Sequence, residues 1–158
     1  MDRVHDLFDD ARARLRDAPR YVVGELTQPR RVLGIARAPR IAPRGEAWHL
    51  GVLLLTGDAV LATGEVVRAQ VPARRGYTSE NQRRRGELAE AARRGGYAEG
   101  TPVHIGWQEL DLDAVERGEA SGPLALVDSV PAVRWSAAAG FQPLRAGIAE
   151  MPRRTVHA

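Results

Sequence analysis

The chain has 158 residues, 44% of them hydrophobic, and a formal net charge of +3 at pH 7. That size supports one globular domain over residues 1–158 with a real core, and no apolar run approaches the ~18–20 residues of a membrane span. Cysteine and lysine are both absent and all 23 basic side chains are arginine, which excludes disulfides, thiolate metal sites, cysteine nucleophiles, Schiff-base chemistry and P-loop lysines.

Residues 2–17 read as an amphipathic helix. Val4, Leu7, Phe8, Ala11 and Leu15 form one apolar stripe. Asp2 is placed to cap it, acids come early and arginines late, and Asp10 can pair with Arg14. Pro19 ends it. The segment is too acidic and too rarely apolar for a signal peptide, so a cytoplasmic location is expected. Tyr21–Leu26 and Arg31–Arg37 read as short strands. The prolines at 39 and 43 make Ala38–Gly45 a loop with Arg40 and Arg44 exposed.

Glu46–Gln70 is the longest apolar region. Gly57-Asp58 at its centre is a two-residue hairpin loop, because a glycine there accepts a positive φ. The register then pairs Thr56 with Ala59, Leu54 with Leu61, Val52 with Thr63 and Leu50 with Glu65. Both faces are mainly apolar, so the hairpin should be covered on both sides. Gly51 falls opposite Gly64 and leaves a dent.

Ser79 and Gln82 have capping-box spacing before a helix over 79–94, and Gly95-Gly96 stops it. Its stripe of Leu88, Ala91 and Ala92 is thin, and Gly86 weakens it by ~1 kcal/mol relative to alanine. Val103–Leu110 is the next strand, and Asp111–Arg117 a short helix ending at Gly118. Leu124–Val127 and Val130–Trp135 form a second hairpin around Asp128-Ser129, with Pro131 arguing for an edge strand or a late start. Ser136–Gly140 is a loop, Leu144–Met151 a terminal helix, and the tail frays from about residue 152.

The charge is segregated. Residues 30–44 carry five arginines and no acid; residues 68–94 carry eight arginines against Glu80, Glu87 and Glu90; residues 95–128 carry seven acids against Arg117. Arg74, Arg75, Arg83, Arg84, Arg85, Arg93 and Arg94 flank or occupy the second helix. Their guanidinium forks suit an anionic partner, nucleic acid or protein, and Tyr77 and Tyr97 bracket the helix where they could stack on bases. A solvated surface offset by the three glutamates is the plainer reading.

Catalytic signals are sparse. His5, His49, His104 and His157 include no close pair, so no metal is implied. No cofactor motif is present: Gly95-Gly96 and Gly100 lack Rossmann order, and Glu109, Asp111 and Asp113 lack calcium-loop spacing. None of Ser79, Ser121, Ser129 and Ser136 lies in G-x-S-x-G. The candidates that remain are His49 and His104, which meet if their strands are neighbours, and Glu65. The hairpin register puts Glu65 on an apolar face, where burial would raise its pKa as a general acid requires. The plainer reading is that Glu65 lies near the strand end and reaches water or an arginine, since structural ion pairs perturb carboxylates too.

The run RYVVGELTQPRRVLGIARAPRIAPRGEAWHLGVLLL, with VRWSAAAGFQPL, resembles a family of small uncharacterised proteins from GC-rich bacteria, some of them labelled glutaminase. The resemblance implies amide hydrolysis as one activity, without a catalytic motif to carry over. The chain lacks the cysteine nucleophile and the Ser-x-x-Lys arrangement that such hydrolysis uses in familiar enzymes.

Together these features predict an α+β domain: a mostly antiparallel curved sheet, or a partly open barrel, of five to six strands with two main helices. The expected core is Leu7, Phe8, Leu15, Trp48, Leu50, Val52, Leu53, Leu54, Leu55, Leu61, Val66, Ile105, Trp107 and Leu126. The expected function is a binding or interaction module rather than an enzyme. Nucleic-acid binding through the arginine-rich helix is the alternative, and an atypical amide hydrolase the second.

Overall fold

The computed structural model describes residues 3–28, 33–35, 38–71 and 79–150. They form an α+β structure with ten strands and four helices. The hydrogen-bonded strand order is β5-β6-β1-β2-β3-β4-β7 in one mixed sheet and β10-β9-β8 in a second, three-stranded sheet, where β1 is Tyr21–Thr27, β2 Arg40–Leu50, β3 Leu53–Leu55, β4 Val60–Ala62, β5 Glu65–Arg68, β6 Pro102–Ile105, β7 Gln108–Glu109, β8 Leu124–Val127, β9 Val130–Arg134 and β10 Phe141–Pro143. The β1–β6 pair is parallel, and the β2–β3, β3–β4, β4–β7, β5–β6, β8–β9 and β9–β10 pairs are antiparallel. No closed barrel forms among the described residues, and the strands exceed the five or six expected. Among the described residues, no helix is long and apolar enough to cross a membrane. The chain divides into two compact units, residues 1–20, 47–63 and 108–158 in the first and 21–46 and 64–107 in the second.

The first unit is organised around three turns of chain that sequence patterning identifies closely. Helix α1 (Val4–Arg14) buries Val4, Leu7, Phe8 and Ala11, the stripe set by the 3,4 spacing. Its N-cap is Arg3, without a side-chain cap; Asp2, expected there, lies outside the described residues. The Gly57-Asp58 hairpin has the expected register, with Leu54 opposite Leu61 and the Thr56 N–H donating to Ala59 O at 3.0 Å. Leu53, Leu54 and Leu55 are fully buried, so both faces are covered. Arg12 holds this turn from the helix, donating through Nε to Thr56 O at 2.8 Å and through Nη2 to Ala59 O at 3.3 Å.

The hairpin is shorter than predicted. Gly51 takes a φ of +58° and turns the chain, so Leu50 pairs with Leu53 and not with Glu65. Glycine at position 51 makes a two-residue turn at Gly51-Val52 accessible, because it takes the positive φ at no steric cost. The expected dent between Gly51 and Gly64 therefore does not form. Gly51 instead lies against Trp135, where a Cβ would come within 2.9 Å of the ring.

In the same unit, helix α3 (Leu112–Glu116) is capped by Asp111, whose carboxylate accepts from Ala114 N at 3.0 Å. The β8–β9 hairpin turns at Asp128 and Ser129, both at positive φ, as a tight two-residue loop requires. Pro131 sits in β9, the central strand of its sheet, against the expectation of an edge. The reason is local. Arg134 N donates to Pro123 O, so alternate residues bond to β8 and the Pro131 nitrogen faces away from it. Pairing with β10 begins only at Ala132, opposite Pro143, so no donor is missed. Helix α4 (Leu144–Ala149) closes the unit, burying Leu144 and Ile148.

The second unit is β5-β6-β1 and the first part of β2, with helix α2 (Glu80–Arg94) packed on it. Ser79 caps α2, its Oγ accepting from Gln82 N at 3.2 Å. The core combines Ile41, Val67, Val103 and Ile105 with Leu88, Ala89, Ala91 and Ala92. Ile41 explains the glycines around it. A Cβ on Gly24 would lie 2.4 Å from Ile41 Cγ2, and one on Gly95 would lie 1.8 Å from its carbonyl oxygen. Residues 40–45 are thus strand, not loop: β2 absorbs Pro43 because an extended backbone already suits its φ. Leu33 and Gly34 form a turn in place of the expected strand, most of which lies outside the described residues.

The predicted strand Val103–Leu110 is broken at Gly106, φ +67°, into β6 and β7. Four predicted core residues are not buried: Val52, Trp107 and Leu126 are half-buried, and Val66 is 52% exposed.

Candidate functional site

Among the described residues, the second unit holds a groove of about 580 Å³ between β5 and α2. Glu65, Arg68 and Val71 line it from the strand side, and Gln82, Arg85 and Gly86 from the helix. Alternation in β5 puts Val67 into the core beneath α2 and leaves Val66 and Arg68 on the exposed side. The helix contributes one face, in which Gly86 adds no side chain.

The electrostatics turn on one ion pair. Arg84 grips Glu65 bidentately, Nη1 donating to Oε2 at 3.0 Å and Nη2 donating to Oε1. The Arg84 hydrogen bond, with the positive charges of Arg84 and Arg85, holds the Glu65 carboxyl below its ordinary value, outweighing a partial desolvation that acts the other way. Arg84 is correspondingly raised. Of the two readings of Glu65, the plainer one holds and the raised carboxyl suited to general-acid work does not: without the Leu50 pairing, Glu65 sits opposite Ile105 and reaches an arginine instead of an enclosed apolar face. Arg85 makes no hydrogen bond or ion pair among the described residues, and Arg68 donates only to Gly100 O, at 3.4 Å.

The other arginines of the helix divide by position. Arg83 and Arg85 are exposed. Arg93 donates to Tyr97 O at 2.9 Å, and Arg94 donates to Pro39 O at 2.7 Å, so both fasten the helix end to neighbouring backbone. Arg74, Arg75 and Tyr77 lie outside the described residues. Tyr97 is buried, its ring in the core and its phenol raised in pKa by desolvation, so it offers no face to a base.

The catalytic candidates are not assembled. Glu65 pairs with Ile105 and His104 with Val66, so the two side chains leave opposite faces of the β5–β6 pair. His104 is buried, its ring edge-on to Tyr21 at 5.7 Å between centroids. His49 belongs to the first unit, is exposed, and donates through Nε2 to Gly51 O at 2.8 Å. Of the serine hydroxyls, those of Ser79, Ser121 and Ser136 accept from the backbone N–H groups of Gln82, Asp111 and Ala139.

A separate cluster in the first unit was not legible from the sequence, because its members are remote in the chain. His5 Nε2 donates to Asp113 Oδ1 at 2.8 Å, and potential ligand atoms of His5, Asp113 and Glu116 all lie within 4.8 Å of one another. His5 and Asp113 are exposed and satisfy each other. Glu109, Asp111 and Asp113 are all exposed, as a solvated acidic edge should be. Compared with known proteins, the chain matches no family model, no curated protein and no solved structure.

Proposed function

We propose that the protein is a non-catalytic binding module whose ligand is anionic and whose site is the β5–α2 groove. The observation that carries this reading is an imbalance of engagement among the described residues: the only carboxylate lining the groove, Glu65, is taken up by Arg84, while Arg85 makes no hydrogen bond or ion pair and Arg68 has one long contact. A guanidinium with unused donors beside a recess is available to a carboxylate or phosphate. The placement of Glu65 and His104 on opposite faces of the β5–β6 pair supports binding over amide hydrolysis, since proton transfer needs its groups within hydrogen-bond reach of one reacting atom.

A nucleic acid is the second reading, favoured by the exposure of Arg83 and Arg85 along α2. The test is fluorescence anisotropy with a labelled acidic peptide and a labelled single-stranded oligonucleotide at low and high salt. Binding that weakens with salt, and about tenfold in Arg85→Glu, is the expected result. Absence of binding by either probe at low salt would overturn the proposal.

A further inference from the structure

We infer that the groove's occupant is an extended acidic peptide segment that adds a strand to the open edge of β5. The inference rests on the anionic-groove reading and goes further, because it specifies the backbone chemistry of the partner.

β5 ends the strand order and, among the described residues, pairs only with β6. Its hydrogen-bond parity is fixed by its end: Ala69 N donates to Thr101 O at 3.0 Å, so Ala69, Val67 and Glu65 turn their backbone groups toward β6. Val66, Arg68 and Gln70 therefore point theirs outward. Gln70 shows this directly, its N–H donating to Ala89 O of α2 at 3.2 Å. The outward N–H and C=O groups of Val66 and Arg68 have no backbone partner among the described residues.

Beside these groups lie two apolar side chains, Val66 at 52% and Val71 at 50% exposure. An edge that no other described strand covers, with exposed valines, is a template for strand addition. Sheet edges are ordinarily protected by proline or a bulge, and β5 contains no proline and pairs in unbroken register.

The charge selects the occupant. Arg68 and Arg85 line the groove, and Glu65 is already paired. A second copy of β5 would bring the same arginines together. A nucleic acid has no alternating amide donors and acceptors to complete the edge. An acidic extended peptide does both: its backbone meets Val66 and Arg68, an apolar β-branched residue lies across from Val66, and acids lie across from Arg68 and toward Arg85.

The experiment is anisotropy with the full chain and a labelled eight-residue peptide, Asp-Asp-Val-Asp-Asp-Val-Asp-Asp, in which valine and aspartate recur two residues apart as Val66 and Arg68 do. It is run beside the same peptide N-methylated at alternate residues, a neutral valine–serine peptide and a single-stranded oligonucleotide. The acidic peptide should bind. N-methylation should weaken it about tenfold or more, since it removes donors that pair with the edge. Arg68→Ala and Arg85→Ala should each weaken it several-fold, with Arg117→Ala as a charge-matched control that leaves it unchanged. The amides of Val66 and Arg68 should shift in the NMR spectrum of the complex.

Equal binding of the methylated and unmethylated peptides overturns strand addition while leaving the anionic groove intact. So does binding of the oligonucleotide without the peptide. Failure of every anionic probe at low salt overturns both readings. Concentration-dependent dimerisation abolished by Val66→Arg overturns the peptide in favour of a second copy.

Discussion

The two units each carry a charged recess, and the contrast between them separates charge that builds the fold from charge that remains available. The recess of the first unit, about 470 Å³, is bordered by Asp58, Glu109, Asp111, Asp113, His5 and Arg12. Most of these groups have a local task. Asp111 caps α3, Asp113 holds His5, Asp58 accepts from Thr56 Oγ1, and Arg12 braces the hairpin carbonyls. The groove of the second unit has fewer charges, yet Arg85 is uncommitted among the described residues. The density of charge is therefore a poor guide to a site, and unused hydrogen-bonding capacity is a better one.

The sharpest break in this comparison is Gly95→Ala. Its new Cβ would lie 1.8 Å from the Ile41 carbonyl oxygen, a backbone atom that cannot swing aside. The cost should be about 3 kcal/mol or more, with the second unit losing hydrogen-exchange protection ahead of the first. Gly96→Ala is the control: it meets nothing within 4 Å but sits at φ +101°, so its cost should be nearer ~1–2 kcal/mol. Equal losses in denaturant unfolding would remove the close approach of Ile41 as the cause.

In the first unit the comparable device is polar. Arg12→Ala removes two hydrogen bonds to the Gly57-Asp58 hairpin from a side chain only 17% exposed. It should cost about 1–3 kcal/mol, because the Thr56 and Ala59 carbonyls lose a charged donor. Gly86→Ala reverses the sign. It lies inside α2 and lines the groove, so alanine should stabilise the chain by ~0.5–1 kcal/mol. A more stable variant with altered peptide affinity would tie the groove's width to that glycine.

How much of this was legible in the sequence depended on range. The stripe of α1, the Ser79 cap, the Gly57-Asp58 register and the Asp128-Ser129 turn were all readable, because each is fixed by residues within one or two turns of chain. The strand partner of Glu65 was misplaced for the opposite reason. Its surroundings depend on whether the hairpin continues past Val52, and the Gly51 turn hands β5 to β6, forty residues away. Ile41 was hidden by its proline neighbours, and the His5–Asp113 contact spans a separation of 108 residues. Local pattern specified elements; the pairing of β5, and with it the open edge and the groove, required the long-range partners.

The smallest effect bears on Glu65 itself. Its carboxyl is held below 4.5 in the folded chain, chiefly by the Arg84 hydrogen bond. A depressed carboxylate contributes stability that is fully present above the unfolded value and is lost as pH falls through the folded one. The stability difference between the native chain and Glu65→Gln should therefore shrink on acidification below about pH 4.5. It should be small throughout, because the pair is 60% and 40% exposed and salt screens it. The binding readout is more telling. Glu65→Gln frees Arg84 from its carboxylate and adds a third available guanidinium to the groove, so the affinity for the acidic peptide should rise a few-fold at neutral pH. Acidification of the native chain cannot substitute for this variant, because it protonates the ligand's own aspartates as well. A general acid or base removed by the same substitution would instead abolish activity. Tighter peptide binding by Glu65→Gln would place Glu65 as a charge that moderates the groove, whereas weaker binding would make the Glu65–Arg84 pair part of what holds the β5 edge in position.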